Sequence, residues 1–193
     1  MQTQAPLLLA STSTYRAQRL STLGLDFKQA APQCDETPIA GESPEALCLR
    51  LSRQKADSLT DQFPDYLIIG SDQTASLDNG ERLGKPGSIE NAIAQLVACS
   101  GKRLRFYTGV ALAGPVRQAW TVVTDVQFRT LSRAEIERYV AIDAPLDCAG
   151  SFKVEGLGIS LFESVQSDDP NALIGLPLIS LASRLRAIGW QVP

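Results

Sequence analysis

Asp72 follows the apolar run Leu67-Ile68-Ile69-Gly70-Ser71 and is itself followed by Gln73. The run reads as a short buried strand, Leu67–Ser71, that delivers a carboxylate and then an amide at its carboxyl end. In open α/β sheets that edge gathers ligands, because loops and helix N-termini converge there. A carboxylate so placed can activate a water or hold a metal once cations and a metal surround it. Taken alone, an Asp at a strand end equally caps the following turn. The other charged residues have to decide between the two.

Four further groups could complete such a site. Ala10-Ser11-Thr12-Ser13-Thr14-Tyr15-Arg16 runs from a strand into hydroxyl residues at a helix start, with an Arg one turn in. Free N–H groups and the positive dipole end make that a phosphate-binding arrangement, although plain capping uses the same residues. Asp35-Glu36 supplies two acids in a loop, and magnesium takes one or two carboxylates plus phosphate oxygens. Lys55, and Lys85 in Gly84-Lys85-Pro86, are single surface cations unless they join Arg16 to neutralise a polyphosphate. Gly80-Glu81-Arg82-Leu83-Gly84-Lys85-Pro86 is not a Walker A loop, since its spacing differs and Pro86 replaces the magnesium-binding hydroxyl. In Ala149-Gly150-Ser151-Phe152-Lys153-Val154-Glu155-Gly156, Lys153 and Glu155 share a face if the segment is extended. One would then meet phosphate and the other a base edge, with glycines on both sides permitting close approach.

Composition narrows the chemistry further. The chain has no histidine, which removes Ser-His-Asp and Cys-His catalysis, His-ligated zinc and a His general base. Cys34, Cys48, Cys99 and Cys148 form no C-x-x-C pair, so zinc and iron–sulfur spacing is absent and reduced, mostly buried thiols are expected. A net charge of −3 offers no basic field for nucleic acid. No apolar run approaches the roughly 20 residues of a membrane span, and no basic segment precedes the first apolar run as in a signal peptide. A cytoplasmic protein with no membrane or nucleic-acid partner is expected.

The elements that must position these residues follow from pattern. With 193 residues and 44% apolar content, residues 1–193 are expected to form a single domain with a sizeable core. Pro6–Ala10 reads as a first strand, followed by a helix that Gly24 stops near Leu23. Phe27–Ala31 is a second strand. Ser43-Pro44-Glu45 opens a helix with an N-cap, a proline at N1 and an early acid. After Leu67–Ser71, Asp78-Asn79-Gly80 suggests a type I′ hairpin turn. Ser88–Cys99 is helical, and Arg105–Ala113 and Ala119–Phe128 are long strands that turn at Gly114-Pro115. Ser132 and Glu135 form a capping box for a helix to about Ile142. Gly158–Ser164 reads as a strand, and Pro177 at N1 begins a last helix that ends near Gly189. Helices and strands alternate at both ends around a hairpin-rich middle. That pattern predicts a three-layer α/β fold with a mixed, twisted sheet.

The pieces, in this order, resemble the Maf-like nucleotide pyrophosphatases. The matching residues are Ala10-Ser11, Ser13 and Arg16; Asp35-Glu36; Lys55-Ala56; Gly70-Ser71-Asp72-Gln73; Gly84-Lys85-Pro86; Phe106-Tyr107-Thr108-Gly109; Ala149 to Gly156; and Gly175-Leu176-Pro177. The likeness spans roughly Leu7 to Leu185. It implies a fold of the inosine-triphosphate-pyrophosphatase type and metal-dependent cleavage between the α- and β-phosphates. It further implies that Asp72 is the proton acceptor, that Glu36 and Asp72 hold magnesium or manganese, and that Ser11, Arg16, Lys55, Lys85 and Lys153 meet phosphate. A nucleotide is the implied small-molecule partner, and a homodimer is compatible with the likeness.

Three positions bear on the base. The dTTP/UTP branch of the family differs at Tyr15, Gln73 and Glu155, and the chain looks like the branch that hydrolyses 7-methyl-GTP. N7-methylation makes guanine cationic, so the Tyr15 ring gains cation–π attraction. Glu155 can accept from the guanine N1–H and N2–H₂ edge. Two departures stand out: Thr14 where the family usually has Pro, and Ala17 where a second Arg is common, which removes one phosphate contact. Two other readings stay open, a dTTP/UTP pyrophosphatase and a nucleotide-binding regulator of cell division without significant turnover.

Overall fold

The computed structural model describes residues 4–192. Its elements are β1 (Leu7–Ala10), α1 (Thr14–Ser21), β2 (Phe27–Ala30), α2 (Pro44–Asp57), β3 (Leu67–Leu77), β4 (Arg82–Leu83), α3 (Ile89–Cys99), β5 (Arg103–Ala113), β6 (Gln118–Phe128), α4 (Arg133–Asp143), β7 (Phe162–Ser167) and α5 (Leu178–Ala187). The strands form one sheet in the order β2-β1-β3-β5-β6-β7, with β4 paired to β3. β1 runs parallel to both β2 and β3, whereas the β3–β4 and β6–β7 pairs are antiparallel. The sheet is therefore mixed, as its sequence pattern predicts.

The chain divides into two compact units. The first holds residues up to Asp72, Thr108–Val122 and the segment from Asp169 onward; the second holds Gln73–Tyr107 and Val123–Asp168. In the first unit, side chains alternate across the sheet with a period of two. Leu7, Leu9, Leu67, Ile69, Val110 and Leu112 pack with Leu20 of α1 and with Leu181 and Leu185 of α5. Leu8, Ala10, Ile68, Ala111 and Ala113 pack on the opposite face with Ala56 and Leu59. Helices on both faces make this unit three-layered. In the second unit, Phe106, Phe128, Phe152 and Phe162 meet edge to face at centroid distances of 4.8–5.8 Å. Those are favourable aromatic geometries.

Local signals place the helix starts well. Ser13, Ser43, Ser88 and Ser132 each accept a backbone N–H as N-caps, and the Ser132–Glu135 capping box is complete. The departures are informative. β3 does not stop at Ser71 but continues to Leu77, so Asp72 sits inside a long strand rather than at its end. At the hairpin, only Gly80 has positive φ, so the turn is not type I′. Gly80 N–H bonds to Leu77 carbonyl and Leu77 N–H to Glu81 carbonyl, a turn that places the left-handed residue after the bend. The strand expected at Gly158–Ser164 is a 3₁₀ turn over Leu157–Leu161 followed by β7. The N–H groups of Gly156 and Gly158 both bond to Lys153 carbonyl, which coils the chain before it can extend. Lys153 and Glu155 consequently do not share the face of an extended segment. Pro177 is the N-cap of α5 rather than its N1 residue.

Candidate active site

Helix α2 builds the site, and two glycines let it do so. Its buried residues Leu47, Cys48, Leu51, Ser52, Lys55 and Ala56 recur at helical spacing and face the sheet. A Cβ at Gly70 would lie 2.3 Å from Ser52 carbonyl oxygen and 2.6 Å from Ala56 nitrogen. A Cβ at Gly109 would lie 2.5 Å from Ser52 Oγ. Only glycine at both positions allows this approach of helix to strand.

The approach delivers Lys55 onto Asp72. Lys55 Nζ donates to Asp72 Oδ1 at 2.5 Å, and both side chains are buried, at 8% and 11% exposure. The same ammonium pairs with Glu36 Oε1 at 2.8 Å, although the Glu36 side chain is 63% exposed. Burial works to lower the Lys55 pKa, but attraction from Asp72, hydrogen bonding to it and bonding to Glu36 outweigh burial and raise it. Lys55 therefore carries its charge at neutral pH. The Glu36 loop is itself tied down by α2, because Arg50 bonds Glu42 through Nε and Nη2 and reaches Thr37 carbonyl. Hydrogen bonds to Asp35 from the Thr37 side chain and then from the Thr37 N–H hold its carboxyl below the ordinary value.

Arg16 approaches from α1. Its Nε donates to Gly175 carbonyl at 2.9 Å, and the same carbonyl accepts from Ser71 Oγ at 2.9 Å. Ser71 Oγ also lies 2.8 Å from Gly109 carbonyl. Gly175 adopts φ of +105°, and a Cβ there would crowd Arg16 Nε at 3.2 Å. Burial lowers the Arg16 pKa against the pull of Asp72, Cys48 and Glu36, yet an Arg keeps its proton regardless. Thr108 Oγ1 donates to Ala172 carbonyl, and Asp169 caps the start of α5 by accepting from Ile179 N–H at 2.6 Å. These bonds fix the segment that carries Gly175.

The first unit thus brings Arg16, Glu36, Lys55 and Asp72 together. Ser11 follows the in-register pair Ala10–Gly70 directly, and its Oγ accepts from Ser13 N–H at 3.1 Å. Tyr15 lies in the first turn of α1, half-exposed. Gln73, Lys85, Lys153 and Glu155 belong to the second unit. There Lys85 is exposed, in a segment that α3 holds through Gln95 to Gly84 carbonyl and Asn91 to Pro86 carbonyl. Lys153 Nζ donates to Asp143 carbonyl at the end of α4, and its N–H donates to Tyr139 Oη. Glu155 is exposed in the turn that follows. Gln73 is half-buried in β3.

Cys48, Arg50, Ser52 and Asp169 carry structural duties around the site that the residue pattern alone did not single out. For Cys48 and Ser52 a signal existed: they stand four residues apart, with Ala56 four further on and Lys55 beside it. Among the described residues all four cysteines are free thiols. Burial pushes Cys99 and Cys148 up to about 12, which keeps them as thiols at neutral pH.

The two acids offer hard oxygens that converge on one point, the Lys55 ammonium. Among the described residues no three or more His, Cys, Asp or Glu side chains are grouped so as to hold a metal ion by themselves. Magnesium suits such a sparse site, because it completes its shell with water and phosphate oxygens. The residues present therefore fit a divalent ion that arrives with a polyphosphate. No helix among the described residues is long and apolar enough to cross a membrane.

Comparison with known proteins bears on the family. A family model described as Maf-like protein matches residues 6–188. A 7-methyl-GTP pyrophosphatase of Xanthomonas axonopodis pv. citri is 54% identical over 97% of this chain and 98% of that protein. A 7-methyl-GTP pyrophosphatase of Alcanivorax borkumensis is 54% identical over the full length of both. Among solved structures, a HAM1 protein from Coxiella burnetii is similar with a TM-score of 0.54 and 14% identity, covering 95% of this chain and all of that one. That likeness speaks to the fold alone.

Proposed function

Because this chain belongs to the Maf-like protein family, we propose that it is a metal-dependent nucleoside triphosphate pyrophosphatase hydrolysing 7-methyl-GTP to 7-methyl-GMP and pyrophosphate. The observation that carries the chemistry is the Lys55 ammonium held between Asp72 and Glu36. Full-length identity of 54% to proteins bearing that substrate in their names supports the choice of nucleotide.

Water adds to the α-phosphorus, and the bond from that phosphorus to the α–β bridging oxygen breaks. Its electron pair leaves with pyrophosphate. Asp72 accepts the proton of the attacking water, as a carboxylate general base. Arg16 and Lys55 are fixed cations placed to offset the charge that grows on the departing phosphates. Fixed charges in a partly desolvated site lower the barrier because they need no reorganisation during reaction. A divalent ion, magnesium or manganese, would be held by Glu36 and Asp72 and supplies Lewis-acid charge to phosphate oxygens. Ser11, Lys85 and Lys153 keep the phosphate-binding role, and Tyr15, Gln73 and Glu155 the base-reading role, that the family likeness gives them. The enzyme so described removes a modified nucleotide from the cytoplasmic pool, as a homodimer.

The test is pyrophosphate release with magnesium and with manganese, against the common nucleotides, 7-methyl-GTP, dTTP and UTP. Selective release from 7-methyl-GTP is the expected result. Preference for dTTP or UTP would keep the site and overturn the substrate. Binding without release from any nucleotide would favour a regulatory module instead.

A further inference from the structure

Helix α2 grips Asp72 at its backbone as well as at its carboxylate. Ser52 Oγ accepts from Asp72 N–H at 3.0 Å. Cys48 Sγ, one turn earlier, donates to Asp72 carbonyl at 3.3 Å. Lys55, three residues after Ser52, takes the carboxylate at 2.5 Å. Ser52 and Cys48 are both 0% exposed, so water does not substitute for either contact. A helical serine commonly donates to the carbonyl four residues back, and Ser52 does so, to Cys48 carbonyl at 2.8 Å. That bond uses its proton and turns its lone pairs toward the strand. The space they occupy is kept by Gly109, where a Cβ would lie 2.5 Å from Ser52 Oγ and 2.9 Å from Cys48 Sγ.

The contacts act on different atoms of one residue. The ion pair sets where the carboxylate ends, while the N–H and carbonyl bonds set where its Cα begins. A side chain as short as aspartate has two torsions between the two, so a shifted backbone becomes a shifted carboxylate.

We propose that Ser52 and Cys48 are positioning residues for Asp72, fixing the strand backbone so that its carboxylate meets the attacking water. This rests on Asp72 being the proton acceptor. Buried, hydrogen-bonded support of this kind holds a catalytic group to within a fraction of an ångström. A displacement of about 1 Å is enough to cost up to about a hundredfold in rate.

The experiment measures kcat and KM for pyrophosphate release from 7-methyl-GTP by the full chain and by Ser52→Ala, Cys48→Ala, Cys48→Ser and Asp72→Asn. Ser52→Ala is expected to lower kcat about tenfold while KM stays within about twofold, the signature of a contact that matters only in the transition state. Cys48→Ala is expected to lower kcat as well, and Cys48→Ser to recover it, because a hydroxyl restores the donor to Asp72 carbonyl. Circular dichroism at the assay temperature corrects each rate for the folded fraction. Should Ser52→Ala fail to fold, the Cys48→Ala and Cys48→Ser pair decides alone. Wild-type kcat in Ser52→Ala, or no difference between the two Cys48 variants, would overturn the proposal with an inert Asp72→Asn left standing. Turnover by Asp72→Asn would overturn the proton-acceptor reading, and this proposal with it.

Discussion

Lys55 Nζ lies 2.5 Å from Asp72 Oδ1, joining a helix to the strand it packs against. Both side chains are buried, so each charge depends on the other for compensation. The pair is also the centre of the site, since Glu36 pairs with the same ammonium and Arg16 draws on the same carboxylates. The contact therefore bears on stability and, in the proposed mechanism, on chemistry, and the first two predictions separate them.

Lys55→Met keeps most of the apolar stem of the side chain, one atom shorter, but removes its charge. Asp72 is then left buried without its counterion, and the loss should be about 3 kcal/mol, in the range for breaking one partner of a buried pair. Urea unfolding measures it. Adding Asp72→Asn should recover much of that loss, because the uncompensated charge disappears. A double variant no more stable than Lys55→Met would show that the ion pair is not the source.

Asp72→Asn is isosteric and keeps the backbone bonds to Ser52 and Cys48. It should lower kcat by about 10²- to 10⁴-fold, as loss of a general base does. Its circular dichroism spectrum should match the wild type. Turnover near the wild-type rate would remove Asp72 from the reaction.

Gly70→Ala tests the approach of α2. The new methyl would lie 2.3 Å from Ser52 carbonyl oxygen, a backbone atom with little freedom to move. Overpacking of this kind costs about 1–3 kcal/mol, and the backbone contact places this case at the upper end. Activity should fall further than stability explains, because the helix that yields carries Lys55. Denaturant unfolding beside steady-state rates would show whether the two losses part.

Glu155→Gln addresses the base. Replacing a carboxylate by an amide removes the charge that complements N7-methylated guanine and turns one acceptor into a donor. The ratio of kcat/KM for 7-methyl-GTP over GTP should fall by about tenfold. An unchanged ratio would exclude Glu155 from recognition.

Arg105 and Asp125 give a pH prediction independent of the site. Arg105 Nε and Nη2 bond both Asp125 oxygens, at 2.7 and 2.9 Å, and hold that carboxyl below its ordinary value of 3.8. A depressed folded-state pKa contributes stability that is complete above 3.8 and is lost as pH falls from there through the lower folded value. Because Arg105 is 38% exposed, solvent screening keeps the effect below about 1 kcal/mol. Asp125→Asn should accordingly lose less stability than the wild type on acidification below pH 3.8. Parallel curves for the two proteins would contradict this.

Much of the architecture was legible in local chemistry. Serine caps, the proline after Ser43 and the Ser132–Glu135 box marked helix starts, because capping satisfies groups within one turn. The unbroken apolar run of β1 anticipated a strand buried on both faces of the sheet. The candidate acids and cations were nameable as well, since their residue types limit what chemistry they perform. The length of β3 was not legible. Ser71 and Asp72 look like a strand's end, and these polar residues persist inside the strand because α2, β5 and the Gly175 segment supply them with partners.

What the sequence determined by itself is the inventory: a histidine-free chain whose chemistry has to run on carboxylates, Lys, Arg, hydroxyls and added metal, in an α/β frame. Tertiary structure alone decided which of them meet. Lys55 and Asp72 are 17 residues apart and Ser71 and Gly175 are 104 apart, and no local pattern encodes such pairings. The Lys55–Asp72 pairing arises because Gly70 and Gly109 let α2 touch the sheet, and the consequence of an absent side chain is visible only once its neighbour is in place.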